Sequence, residues 1–299
     1  MPPSPQAGSY CGSSEGKALL SEGGVMLALA GVLALLTWAA PRVEAAACAA
    51  GVVQADVASS ADAQGLVSAL DCDGSGVFDV TWTGSVVIGE PFNVSGGSSL
   101  TVTGGGSVGN DVIDAQGIYS IFVLSGASTL SLDSVVLQGG NSSENGGAIH
   151  VEAGGSLLSV NNCVFLSNNA AGYGGAIFAD SGEVVITGNT ELFGNSAGYR
   201  GGALYGNNSR VTISGSVAFV ANTATGDGGA VYTDESSIAI LDAVAFTNNS
   251  AEDRAGAIRA SFSNVTVEDT VSFTRNTAVN NGGTHICGKS ELWAGHSGR

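Results

Sequence analysis

The chain has 299 residues, among them 46 glycines and only 5 prolines, so glycine runs at about twice its ordinary ~7%. With 44% hydrophobic residues a core can be filled, which excludes a disordered tail, and scarce proline without a three-residue glycine period excludes collagen. Nine basic against 26 acidic residues leave a net charge of −17, which repels a phosphate backbone and excludes nucleic acid as a partner.

In chain order, the first feature is residues 25–40, sixteen residues without a charge, ended by Pro41 and Arg42. That is shorter than the roughly 20 residues a spanning helix needs and matches a long signal h-region. Ala45, Ala46 and Ala47 then offer a small-residue cleavage site before Cys48. Residues 1–47 are therefore expected to be a secretory signal, or alternatively an anchor through residues 25–40, and the protein to be extracellular or at the cell surface. That apolar segment, left uncleaved, is the only membrane contact expected. Cleavage leaves Cys48, Cys72, Cys163 and Cys287, too few for a disulfide scaffold, with Cys48 and Cys72 the nearest pair in sequence.

Residues 48–75 read as a cap region, with a short amphipathic helix over 61–70 that places Leu66, Val67 and Leu70 on one side. The acidic stretch from Asp71 to Gly76 resembles the opening of an EF-hand loop. Its twelfth position is Trp82 rather than a bidentate glutamate, so a plain turn is the better reading. Strand-like runs follow at 77–83, 86–88, 99–103, 121–124 and 129–137, divided by glycine-rich turns. They predict about three irregular coils.

A regular repeat then takes over. The triplet Gly-Gly-Ala begins at Gly146, Gly174, Gly201 and Gly228, with degenerate copies at Ala255 and Gly282, at intervals of 28, 27, 27, 27 and 27 residues. A second word, a large apolar residue followed three later by asparagine, keeps the same step. It reads Phe165 to Asn168, Leu192 to Asn195, Phe219 to Asn222, Phe246 to Asn249 and Phe273 to Asn276. Two words locked in phase signal stacked structural repeats. Each copy holds three short alternating runs, in one copy at 203–206, 210–213 and 217–219, which are strands rather than helices. The fold class that follows is all-β, a right-handed parallel β-helix with three strands per ~27-residue coil and a short N-terminal cap helix, spanning 76–287 and rising ~4.8 Å per coil. Residues 288–299 show no register and are expected to be unstructured. Glycine pairs are assigned to corners that need positive φ or close approach. The asparagines are assigned to a buried turn where each amide bonds backbone groups and the next asparagine.

These two words resemble the chlamydial polymorphic outer membrane protein repeat, over roughly residues 137–284. The resemblance implies a β-helix of the pectin-lyase type displayed at a cell surface, often in adhesins. The chlamydial members of that family end in a membrane barrel, whereas this sequence stops at Arg299 soon after the sixth glycine pair, so the expectation is a shorter secreted relative or a fragment rather than an autotransporter.

Three sets of residues are candidates for function. Beside the first strand of each coil, the outward parity gives His150, Phe178, Tyr205, Tyr232 and Arg259. This column, expected on the exposed parity, reads first as ordinary cross-coil ring stacking and second as a stripe in which Phe178, Tyr205, Tyr232 and Arg259 contact a glycan or protein. Two residues further along, Glu152, Asp180, Asn207 and Asp234 form a mostly acidic column, a weak candidate for Ca²⁺ and otherwise a solvated face. No other cofactor is expected. Asn93, Asn141, Asn207, Asn248 and Asn264 begin glycosylation sequons. A polysaccharide lyase or glycoside hydrolase is the alternative function. Its acids would come from Asp111 with Asp114, Asp234 with Glu235, or Glu252 with Asp253, and Arg259 is the one plausible base. A repeat that nothing interrupts favours a non-catalytic scaffold.

Overall fold

The computed structural model describes residues 52–71, 76–106 and 109–280, together with the backbone of strands Ile286–Cys287 and Leu292–Ala294. The expected signal or anchor, Cys48 and Cys72 lie outside the described residues. Among the described residues, no helix is long and apolar enough to cross a membrane.

The chain is an all-β parallel solenoid of about 27 residues per turn. Alternation makes each run a strand, and stacking at a constant step makes each strand pair with its own copy one coil away. Among the described residues, and counting from the glycine pair, the first-strand sheet has eight strands, from Phe92–Val94 to Ile286–Cys287. The second-strand sheet has ten, from Val52–Val57 to Leu292–Ala294, and the third-strand sheet has eight, from Ser85–Val87 to Ser272–Thr274. Every pairing is parallel and in register, as in Phe165↔Leu192↔Phe219↔Phe246↔Phe273. The rings of Phe219, Phe246 and Phe273 stack 4.8 and 5.1 Å apart, one strand spacing per coil. Inside, Ile149, Ile177, Leu204, Val231 and Ile258 form one fully buried ladder, and Val184, Val211, Ile238 and Val265 another.

Three features depart from the sequence expectation. A fourth, two-residue strand follows each of the five column asparagines, and Asn141–Ser142 after Gly140 adds a sixth, giving a six-stranded corner sheet that ends at Thr277–Ala278 among the described residues. Two residues are too short to show an alternation. The run over 129–137 divides into Thr129–Asp133 and Val136–Gln138 because Ser134 turns into the left-handed region at φ 60°. The solenoid also reaches further at both ends. Val52–Val57, within the region expected to be only a cap, pairs with Val77–Trp82. Leu292–Ala294, in the segment expected to lack register, pairs Leu292 with Val265, again 27 residues apart.

The cap helix spans Ser60–Leu70 and starts from a reciprocal cap. The Ser59 hydroxyl accepts from the Asp62 N–H and donates to the Asp62 carboxylate, which satisfies donors a helix start leaves open. Leu66, Val67 and Leu70 are buried as expected, against Val52–Val57 and Phe92–Val94, so the helix covers apolar strand edges that would otherwise face water.

The corners are built by two devices. Gly146, Gly174, Gly201 and Gly228 have φ between 64° and 67°. A Cβ on the second glycine would fall 2.1 Å from the Gly229 carbonyl oxygen in the case of Gly202. At the next corner, Asn195, Asn222 and Asn249 are wholly buried. The Asn195 backbone N–H and its Nδ2 both donate to Asn222 Oδ1 at 3.0 Å, and Nδ2 also donates to the Phe165 carbonyl at 3.1 Å. The same set recurs from Asn168 to Asn276. A serine column that the sequence reading passed over does similar work one corner on. The Ser209 N–H donates to Ser236 Oγ and the Ser236 N–H to Ser263 Oγ.

Asn222→Ala should therefore strand two buried donors of Asn195 and the Leu192 carbonyl, costing about 3 kcal/mol. The exposed neighbour Thr223→Ala should stay within about 0.5 kcal/mol. Urea denaturation of both variants checks this, and equal midpoints would remove the structural role given to the column.

Candidate functional site

The outward column beside the first strand forms as the alternation requires, with His150, Phe178, Tyr205, Tyr232 and Arg259 in one register. Its rings stack, Phe178 on Tyr205 at 5.5 Å and Tyr205 on Tyr232 at 5.3 Å, within 8° of parallel. Contrary to the sequence expectation, the stripe is not exposed. Phe178, Tyr205 and Tyr232 retain 9%, 7% and 3% of their surface.

The cover comes from the segment between the corner sheet and the glycine pair. Tyr173 sits 4.6 Å from the Tyr205 ring, and the Arg200 guanidinium lies 4.8 Å over Tyr232. Both contacts join residues 32 apart, one coil of 27 plus the five residues from this position to the column. Arg200 is also 4.8 Å over Tyr199, so its cation lies between two rings, a placement worth about 0.5–2 kcal/mol. Burial works against that charge. Tyr232, Tyr199 and Asp227 outweigh it and raise the guanidinium above its ordinary range.

Asp227 ties the roof together. Its nearly buried carboxylate lies 3.7 Å from Arg200 Nε and 3.6 Å from Arg254 Nε, and Arg254 also reaches Asp253 at 3.2 Å. Arg254 Nε donates a hydrogen bond to Asp253, but the two separations to Asp227 are ionic rather than hydrogen-bonded, so Asp227 Oδ1 has no hydrogen-bond partner among the described residues. Asp234 Oδ1 and Arg259 Nε are likewise buried without one. Burial first, and the nearby Asp234 charge second, raise the Tyr205 hydroxyl far above the usual tyrosine range. What faces solvent is Tyr199, 46% exposed, and the Arg254 side chain, 44% exposed. The sequence held a signal for these residues. Tyr173, Arg200, Asp227 and Arg254 each stand directly before a copy of the glycine word and keep the 27-residue step.

The other candidates resolve individually. In the acidic column, Asp180 Oδ1 accepts from Asn207 Nδ2 at 2.9 Å and from Ser181 Oγ at 3.2 Å, while Glu152 is exposed. Among the described residues, no three His, Cys, Asp or Glu side chains converge as a metal would need. Asp111 is buried and accepts from the N–H groups of Gly84 and Gly106 at 2.8 and 2.7 Å. Asp114 accepts from Gln116 N–H and Gln138 Nε2. Glu235 occupies a left-handed corner at φ 48°. These acids hold turns. Of the sequons, Asn93, Asn248 and Asn264 are exposed. Asn141 and Asn207 donate their amides to Gly117 and Asp180.

Residues 162–180 and 216–234 match the family described as the Chlamydia polymorphic membrane protein repeat. Those two segments carry this repeat. Both matched segments keep phenylalanine, asparagine and the full Gly-Gly-Ala word, whereas Leu192 or Ala255 stands in the copies beside them. No curated protein and no solved structure matches the chain.

Two titrations follow from burial. His150, packed edge-on against Phe178 at 4.9 Å, has its pKa lowered by desolvation, partly offset by Glu152, Glu144 and Asp180. The unfolded chain then binds the proton first, near pH 6.5, so stability is full above that pH and falls as pH drops toward the folded-state value. His150→Gln should flatten urea midpoints between pH 7 and 5, and an unchanged slope would count against it. Cys163 is a buried free thiol pushed up to about 11, chiefly by desolvation. Peptide mapping after iodoacetamide at pH 8 should find it unmodified in the native protein and alkylated in urea.

Proposed function

We propose that this solenoid is a non-catalytic scaffold at the cell surface that binds an extracellular glycan or protein, with the roofed face of the first-strand sheet as its contact surface. The observation that carries this reading is the roof itself. Exposed Tyr199 and Arg254 are held in place by Tyr173, Arg200 and the buried Asp227. An aromatic ring beside a guanidinium, fixed before any partner arrives, is the composition that dominates recognition surfaces and loses little entropy on binding.

The surface-protein repeat supports the placement and fits a protein without catalysis. The N-terminal apolar run supplies the expected route to the surface, as a signal or an anchor. A lyase or hydrolase reading draws no support from Asp111, Asp114 or Glu235, whose positions serve turns.

The burial of Tyr205 and Tyr232 divides the expected effects of mutation. Tyr199→Ala with Arg254→Ala should weaken adhesion to cells or matrix about tenfold or more while β-rich circular dichroism is retained. Tyr205→Ala with Tyr232→Ala should instead lower the urea midpoint, because it removes stacked rings and the platform under Arg200. Adhesion unchanged in the folded Tyr199/Arg254 variant would move the contact face elsewhere.

A further inference from the structure

The irregular coils before the regular repeat have shorter corners. Ile113 pairs with Leu137, and Phe122 pairs with Ile149. Between these fixed points one coil uses 12 residue steps (137 to 149), and the coil before it uses 9 (113 to 122). The shorter corner has no two-residue strand of its own, so the corner sheet begins at Asn141–Ser142 and a ledge is left against its first rung.

The short corner is a tight turn. Gln116 and Gly117 are both left-handed, at φ 53° and 74°, and the Ile118 N–H donates to the Ala115 carbonyl at 3.0 Å. The Asp114 carboxylate accepts from the Gln116 N–H and fixes the turn's entry. This pushes Ile118 and Tyr119 outward, 58% and 36% exposed, although both are large and apolar-bodied. The Tyr119 carbonyl accepts from the Asn141 N–H at 2.8 Å, which anchors the ring's backbone to the corner sheet.

A cleft of about 490 Å³ lies between this turn and the rung behind it, within the ~300–1,000 Å³ of small-ligand sites. None of its ten lining residues is charged, in a chain of net charge −17. Its polar groups are hydroxyls and amides. Ser143 and Asn169 are exposed, and Asn169 Nδ2 donates to Asn141 Oδ1 at 2.9 Å, leaving its own Oδ1 as an acceptor. A ring platform beside neutral donors and acceptors matches a sugar, which has an apolar C–H face and a rim of hydroxyls. An added peptide strand fits less well, because the Asn141 N–H that it would pair with is already bonded to Tyr119.

We propose that this ledge binds a neutral hexose glycan, with Tyr119 as stacking platform and Asn169 and Ser143 as polar contacts. The inference rests on the binding-scaffold reading for its class of ligand, but not on the roofed face, so the two fail separately. The test is calorimetric titration of the full chain with glucotriose, galactotriose and mannotriose, with polygalacturonate as the acidic comparison. At least one neutral trisaccharide should bind saturably. Tyr119→Ala should weaken it about tenfold, Ser143→Trp should block it by filling the cleft, and Tyr199→Ala should leave it intact. Circular dichroism confirms folding, and if Tyr119→Ala does not fold, Ser143→Trp at its exposed position decides. No binding of a neutral trisaccharide, binding of polygalacturonate alone, or binding that survives Ser143→Trp would overturn the proposal. Loss in Tyr199→Ala instead would overturn it in favour of the roofed face.

Discussion

The asparagine column is the constraint on which the solenoid depends. Each coil must turn where the first and third sheets cannot supply ladder bonds, and the asparagine of that turn is buried away from water although its neighbours are exposed. A buried N–H or carbonyl left open there costs about 1–3 kcal/mol. An interior asparagine such as Asn222 closes four side-chain bonds at once, two into its Oδ1 and two from its Nδ2, and the set requires an asparagine one coil away on each side. The 27-residue step is held by this chemistry as much as by the core. Insertion of one residue would shift every inward side chain to the outward face and break the amide chain in the same place.

Core, corners and outer face are thereby linked. The glycine pair allows adjacent coils to approach until a Cβ has no room, and that approach brings the outward column of one coil under the roof segment of another. Phe178, Tyr205 and Tyr232 stack because their strands are in register. They are buried because Tyr173 and Arg200 precede the glycines that set the corner. Strict repetition inside permits variation outside. The roof position reads Asn145, Tyr173, Arg200, Asp227 and Arg254, four residue types over five coils on one backbone path. A scaffold of this kind changes its surface chemistry without changing its fold, and function belongs to these sites rather than to the architecture.

The ends and irregular coils show what happens where the step is not kept. Trp82, fully buried, donates from Nε1 to the Val112 carbonyl at 3.1 Å and meets Phe92 edge-on. Large rings fill the coils that lack an asparagine column. Strands such as Phe92–Val94 and Val112–Asp114 were not legible, because three residues between glycine-rich turns carry no periodic signal. The break over 113–122 was equally hidden. A missing three residues becomes visible only once strand pairing fixes which residues are neighbours.

By itself the sequence determined the repeat, the inward ladders, the parallel solenoid, the cap helix and the corner roles of glycine and asparagine. All of these follow from periodicity and from the steric and hydrogen-bonding character of single residue types. Tertiary structure alone decided which outward residues meet water. Tyr205 and Tyr199 are both aromatic and six residues apart in one coil, yet one is 7% exposed and the other 46%. The difference lies in a contact between residues 32 apart, across one coil and around a corner. Tertiary structure also imposed left-handed corners on Glu235 and Phe262, at φ 48° and 47°, although such residues disfavour that region by about 1–2 kcal/mol. The stacked neighbours above and below fix the corner, and the local sequence follows.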